Sequence, residues 1–95
     1  MSSYRDLYGS ATHAREQMKR NRRLSEQLFA ELLDSNPRAG LVYLFRAEGF
    51  EEVGELVQAR ADYQRAEELL EGDEWKAKAR AGSERVVARS SDKSS

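Results

Sequence analysis

The apolar positions near the start of the chain recur at helical spacing. Between Arg5 and Asp34 a row of mainly apolar or small residues advances in alternating steps of four and three, which keeps one side of a helix facing a partner. The row consists of Leu7, Ala11, Ala14, Met18, Asn21, Ser25, Leu28 and Leu32. Because Asn21 and Ser25 are polar, the row predicts either one long helix with a polar waist or two short helices that meet near Arg20 and Asn21.

The next boundary is an Asn36-Pro37 pair. Asparagine is a favoured N-cap and proline is favoured at the first helical position, so a second helix is predicted to begin at Pro37. The run from Leu41 to Phe45 covers most directions around this helix with apolar side chains, which is typical of a helix in the middle of a bundle. Gly54 favours a turn over residues 53 to 55.

The clearest amphipathic pattern lies in the second half of the chain. Apolar residues separated by charges predict a third helix over about residues 55 to 71, and they are Leu56, Ala59, Tyr63, Ala66 and Leu70. Gly72 can end this helix and Asp73 can cap a fourth one that extends to about Arg89. No stretch alternates as a strand does, so the predicted class is all-α, with about four helices in antiparallel hairpins.

The composition fits one small helical domain with a charged surface. Of the 95 residues, 39% are hydrophobic and 35% are charged. The domain is predicted to cover residues 5–89, between a flexible N-terminus (1–4) and a flexible tail (90–95). The absence of cysteine excludes disulfides and thiolate sites. Neither a signal peptide nor a membrane span is predicted, so the expected location is cytoplasmic.

The middle helix pair also follows a family pattern of large and small residues. The residues that carry it are Tyr43, Ala47, Phe50, Gly54, Leu56, Ala59, Tyr63 and Ala66. With these residues, the segment from Leu41 to Glu71 resembles a tetratricopeptide repeat, a helix-turn-helix unit of about 34 residues. Degenerate flanking repeats are indicated by Phe29 and Pro37 on one side and by Ala77 and Ala81 on the other. The pattern is broken at Arg46 and Glu71, where the family has an apolar residue and a proline.

The resemblance implies a function as well as a fold. In such repeats the first helix of each pair lines a concave surface, and the corresponding positions here are Leu41, Leu44, Glu48 and Glu51. A groove that is apolar at one end and acidic at the other favours a basic or amphipathic partner helix or peptide. The sequence therefore predicts a small non-catalytic adaptor that binds a protein partner.

Charge is distributed unevenly, and this supports an alternative function. The segment from Arg15 to Arg23 has five basic residues against one acid, whereas residues 48 to 74 hold ten acids against two bases. Phosphates could be contacted by the basic side chains Arg15, Lys19, Arg20, Arg22 and Arg23. The alternative is a helical nucleic-acid adaptor, although the pI near 5.9 and the lack of interleaved aromatic residues argue against it.

Self-association is also expected, because one repeat supplies little core. The predicted contacts are Leu28, Phe29 and Leu32 with the apolar helix that begins at Leu41. In addition, the basic segment of one copy would pair with the acidic residues 48–55 of another, and such pairing should weaken as salt rises.

Catalysis is not expected. His13 is the chain's single histidine and has Gln17, not an acid, one helical turn later. Gly49 and Gly54 have the spacing that begins a phosphate-binding loop, but Glu55 and Leu56 follow them instead of lysine and a hydroxyl residue. The acids near residue 50 lack the pattern of a calcium loop, so the sequence predicts no cofactor and no metal site.

Overall fold

The computed structural model describes residues 4–93, and the side chains of residues 6–90. Within this range the chain forms five α-helices and no strand, so the all-α class is confirmed. The helices are α1 (Tyr4–Arg20), α2 (Arg22–Ser35), α3 (Gly40–Glu52), α4 (Leu56–Leu69) and α5 (Asp73–Lys93). The tail predicted from Ser90 onward continues as helix to Lys93, whereas residues 1–3 and 94–95 lie outside the described range.

The polar waist of the N-terminal segment separates two helices. The Asn21 backbone N–H donates to the Gln17 carbonyl at 2.7 Å, and the Asn21 side chain accepts a hydrogen bond from the Leu24 N–H at 3.1 Å. Asn21 therefore follows the last turn of α1 and caps α2. Ser25 is fully buried, and its hydroxyl donates to the Ala14 carbonyl at 2.7 Å. These hydrogen bonds of Asn21 and Ser25 stabilise the junction between α1 and α2. The N-terminal segment is therefore two short helices and not one long helix, and the described residues form five helices where about four were predicted.

The predicted start of α3 at Pro37 is wrong. The backbone N–H and side-chain amide of Asn36 donate to the Leu32 carbonyl at 2.9 and 3.1 Å, so Asn36 caps the end of α2 instead of opening α3. The chain then turns, and α3 begins at Gly40. A Cβ atom on Gly40 would lie 2.8 Å from the Leu70 backbone nitrogen. The first turn of α3 can therefore approach the end of α4 closely only without a side chain at this position.

The two later turns form where the glycines predict them. Gly54 has φ of +83° between α3 and α4, and Gly72 has φ of +91° between α4 and α5. Residues other than glycine rarely adopt this backbone conformation. Both turns are short, so α3 and α4 lie side by side as a hairpin and α5 folds back on α4.

Helix α3 lies at the centre of the bundle. It packs on α4 and on α1, while α1 pairs with α2 and α5 packs mainly on α4. The alanines at the α3–α4 contact, Ala47, Ala59 and Ala66, have no exposed surface, and Tyr63 fills the space beside them. No helix in the described range has the length and apolar character that a membrane crossing requires.

Candidate functional site

Helices α1, α3 and α5 surround a small groove on one side of the bundle. The groove is open because α5 packs on α4 and makes few contacts with α3. It has a volume of about 150 Å³ and is lined by Tyr8, Thr12, Arg15, Phe45, Glu48, Trp75 and Lys78. We refer to it as the three-helix groove.

Helical spacing places these side chains together. Tyr8, Thr12 and Arg15 follow one another at intervals of four and three along α1, so they share one face of that helix. The other two helices each contribute a pair separated by three positions, which are Phe45 with Glu48 and Trp75 with Lys78. Each helix thus contributes an aromatic ring and a charged group, which lie about one turn further along on α3 and α5 and about two turns further along on α1.

The aromatic rings form the apolar part of the groove. Tyr8 meets Phe45 edge to face, with ring centroids 5.3 Å apart and planes inclined by 73°. Phe45 is buried, whereas Tyr8 is exposed and Trp75 is half-buried, so Phe45 forms the floor between two accessible rings. A partner side chain could therefore contact Tyr8 and Trp75 without any change in the core.

Cations border the rings. The Arg15 guanidinium carbon lies 5.5 Å from the Phe45 ring centroid, and the Lys78 ammonium lies 5.4 Å from the Trp75 ring centroid. Arg15 also donates a hydrogen bond of 2.6 Å to Glu48. Among the described residues, Lys78 has no carboxylate within the 4.0 Å of an ion pair. Lys78 is therefore the lining cation that a partner could engage without breaking an internal pair.

A second polar cluster connects α3, α4 and α5. Arg85 donates from Nε and Nη2 to Glu51 at 2.6 and 2.8 Å, and the Tyr63 hydroxyl donates to Glu51 at 2.6 Å. Arg89 lies 3.7 Å from the same carboxylate. Hydrogen bonding from Arg85 holds the pKa of Glu51 below its usual range, while burial, followed by the bond to Glu51, raises the pKa of Tyr63.

This cluster predicts a loss of stability in acid. Glu51 has a lower pKa in the folded chain than the 4.5 of an unperturbed glutamate, so its contribution is complete above pH 4.5 and is lost as pH falls through the folded pKa. We expect the urea midpoint to decrease between about pH 5 and about pH 3. The change should be shallower in Glu51→Gln, which does not titrate. An equally steep decrease in that variant would assign the acid sensitivity to other carboxylates.

The predicted partner-binding residues are in two different environments. Leu41 and Leu44 are buried in the core, because α3 is covered on most sides, so they do not line a surface. Glu48 lies in the three-helix groove, and Glu51 lies beside it in the Arg85 cluster. The apolar part of the groove comes instead from the rings of Tyr8, Phe45 and Trp75.

The basic segment is largely neutralised within the chain. Arg15 pairs with Glu48, Lys19 lies 2.9 Å from Glu52, and Arg22 forms a bidentate pair with Glu55. The pairing that the sequence placed between two copies thus forms inside one. Two basic residues of this segment, Arg20 and Arg23, are exposed and form no ion pair with another described residue. Since Asn21 also interrupts the helix, the five basic residues do not form one cationic face.

The predicted self-association residues are also separated. Phe29 is fully buried and cannot contact a second copy. Leu28 and Leu32 are half-buried and line a wider groove between α1 and α2, of about 460 Å³, together with His13. Most of the residues that line this wider groove are polar or glycine, and no phenylalanine, tyrosine or tryptophan of the described residues is among them.

Among the described residues, no group of three or more histidine, cysteine, aspartate or glutamate side chains could hold a metal ion. The Thr12 hydroxyl and the Glu48 carboxylate of the groove are both engaged, since Thr12 donates to the Tyr8 carbonyl at 2.8 Å and Glu48 accepts from Arg15. No protein-family model, curated protein or solved structure matches the chain. The geometry of the groove is therefore the basis on which its function is inferred.

Proposed function

We propose that the chain is a small non-catalytic interaction module that receives one large apolar side chain of a partner peptide in the three-helix groove. The observation that carries the proposal is the convergence of Tyr8, Phe45 and Trp75 from three helices around about 150 Å³. A cavity of about this size holds one benzene-sized group. Aromatic residues at the centre of an interface also supply most of its binding energy.

A tetratricopeptide-like arrangement is part of the proposal. Three ion pairs join residues about one repeat length apart: Arg15 with Glu48 and Arg22 with Glu55 are separated by 33 positions, and Arg85 and Glu51 by 34. Two of these pairs join α1 to α3 and α3 to α5, which supports treating these helices as the first helices of successive units. In that arrangement the three-helix groove corresponds to the concave surface.

The absence of catalysis is proposed on the same geometry. A general base must be able to reach and take a proton from a substrate. Glu48 is held by Arg15 at 2.6 Å, and the Thr12 hydroxyl is directed to its own helix backbone. These contacts favour a groove that binds and does not react.

Selection from a random peptide library tests the proposal. The immobilised full chain should retain peptides with a recurrent large apolar residue, and the affinity of these peptides should fall roughly tenfold or more in Tyr8→Ala and in Trp75→Ala, as expected for aromatic anchors. Val57→Ala is the matched control, because Val57 is 81% exposed on α4 and does not line the groove. Circular dichroism checks that each variant is folded.

Two results would contradict the proposal. The first is a selection that enriches no peptide above the uncoated surface. The second is a set of peptides whose affinity is unchanged in both groove variants or falls equally in Val57→Ala. The second result would show that peptides bind elsewhere on the bundle.

A further inference from the structure

We infer that the partner segment is acidic, with carboxylates on both sides of the apolar anchor. The inference rests on the proposed function and specifies the partner for the same groove. It follows from the charges that border the groove. The sequence alone, through Glu48 and Glu51 on α3, favoured a basic partner. In the structure, α1 and α5 contribute Arg15 and Lys78, so the charged side chains that line the groove are two cations and one carboxylate.

In two ion pairs at or beside the groove, the carboxylate is more buried than the guanidinium that covers it. The side chain of Glu48 is 27% exposed and that of its partner Arg15 is 34% exposed. The contrast is larger at the neighbouring cluster, where Glu51 is 13% exposed and Arg85 is 53% exposed. At these two ion pairs a partner therefore meets more guanidinium than carboxylate surface.

Several donors at this surface are available to a partner. Lys78 borders the Trp75 ring and has no internal carboxylate among the described residues. Arg85 uses Nε and Nη2 on Glu51, and no hydrogen bond from its Nη1 to a described residue is present. Hydrogen bonds between such donors and carboxylates are about twice as strong as those between neutral groups. An acidic segment can use these donors and leave the internal ion pairs intact.

Two other occupants fit less well. A basic peptide would bring its cations against Arg15, Lys78 and Arg85. A single nucleic-acid strand would need rings on which bases can stack. Phe45 is buried and Lys78 lies over the Trp75 ring, so Tyr8 is the one open ring among the described residues of the groove, whereas a strand stacks successive bases on several rings.

The single tryptophan provides the readout, because Trp75 lines the groove. Two synthetic peptides are titrated into the full chain, each with one central phenylalanine in a glycine-serine background, flanked by glutamates in one and by lysines in the other. The glutamate peptide should change Trp75 fluorescence at a concentration roughly tenfold lower than the lysine peptide. This preference should decrease as salt is raised.

Charge reversal gives the matched test. Lys78→Glu should remove the preference for the glutamate peptide, whereas Arg60→Glu should retain it. Both variants make the same change in net charge, but Arg60 is an exposed residue on α4 and does not line the groove. An equal loss in both variants would assign the preference to overall charge and would overturn the inference.

The remaining outcomes separate this inference from the proposed function. If the lysine peptide binds as tightly as the glutamate peptide or more tightly, and Tyr8→Ala weakens it, the groove binds peptides but the acidic partner is wrong. If a single-stranded oligothymidylate binds more tightly than either peptide, the occupant is nucleic acid and the inference is wrong. If no peptide changes the fluorescence at millimolar concentration, both proposals fail.

Discussion

Replacing Gly82 with alanine is expected to lower the free energy of unfolding by about 2 kcal/mol. A Cβ atom at this position would lie 2.3 Å from Cε1 and 2.4 Å from Cζ of Tyr63. The ring cannot move aside easily, because Tyr63 is fully buried and its hydroxyl is bound to Glu51. Over-packing of this kind costs about 1 to 3 kcal/mol or more, and the higher helix propensity of alanine returns about 1 kcal/mol at most.

The matched control is Gly9→Ala. Gly9 also lies inside a helix, but a Cβ atom there would have no neighbour within 4 Å. The same substitution should therefore stabilise the protein by up to about 1 kcal/mol, through helix propensity alone. Urea unfolding followed by circular dichroism compares the two variants. If Gly82→Ala is as stable as the original chain, the close approach of α5 to α4 is not as the structure describes it.

The helices could be predicted from the sequence because their signals are local. The row from Leu56 to Leu70 depends only on spacing within α4, and Gly54 and Gly72 mark turns through a backbone conformation that glycine adopts without steric cost. The start of α3 depends on a distant contact. Gly40 meets Leu70 across the bundle, and no local signal distinguishes it from a glycine inside a longer helix.

The groove could not be predicted in the same way, because it joins helices that are distant in sequence. Tyr8 and Trp75 lie outside the helix pair that resembles a repeat, so the resemblance placed the binding surface on α3 alone. One signal was present: Tyr8, Thr12 and Arg15 form a second row beside the apolar row of α1. Whether this row lines a groove depends on which side of α1 packs against α3, and a single sequence does not specify that side.

The charges show a related limit. The sequence identifies a basic segment and an acidic segment, and their attraction is expected wherever they meet. It does not decide between pairing within one chain and pairing between two copies, because both arrangements satisfy the same residues. In the structure α1 packs on α3, so the ion pairs form within one chain, as between Arg15 and Glu48.

Arg46 is the clearest case of a residue that the family pattern does not explain. The pattern has an apolar residue at this position, but here the guanidinium donates to both carboxylate oxygens of Asp62 on α4, at 2.7 and 2.9 Å. Asp62 is nearly buried, with 8% of its side chain exposed. The Asp62 hydrogen bond raises the pKa of Arg46 despite partial burial, so the guanidinium remains charged. Arg46, the residue that departs from the family pattern, thus forms an ion pair with the facing helix α4.

Replacing Arg46 with methionine is therefore expected to destabilise the protein by about 2 to 3 kcal/mol, because it leaves Asp62 buried without its cation. The loss should be smaller than the about 3 to 5 kcal/mol of a fully buried pair, since 28% of the Arg46 side chain remains exposed. Urea unfolding at neutral pH measures the change. Arg80→Met is the control, because Arg80 is 65% exposed where it pairs with Glu67, and it should change stability by about 1 kcal/mol or less.

The double variant Arg46→Met with Asp62→Leu distinguishes two quantities. One is the net contribution of the ion pair to the free energy of unfolding, and the other is the destabilisation caused by leaving one buried charge unpaired. Removing both charges eliminates the uncompensated carboxylate and places apolar atoms between α3 and α4, so most of the lost stability should return. Such recovery would show that the pair specifies how α3 meets α4 more than it stabilises the bundle. If the double variant is less stable than Arg46→Met alone, the ion pair itself makes a net contribution that an apolar pair cannot replace.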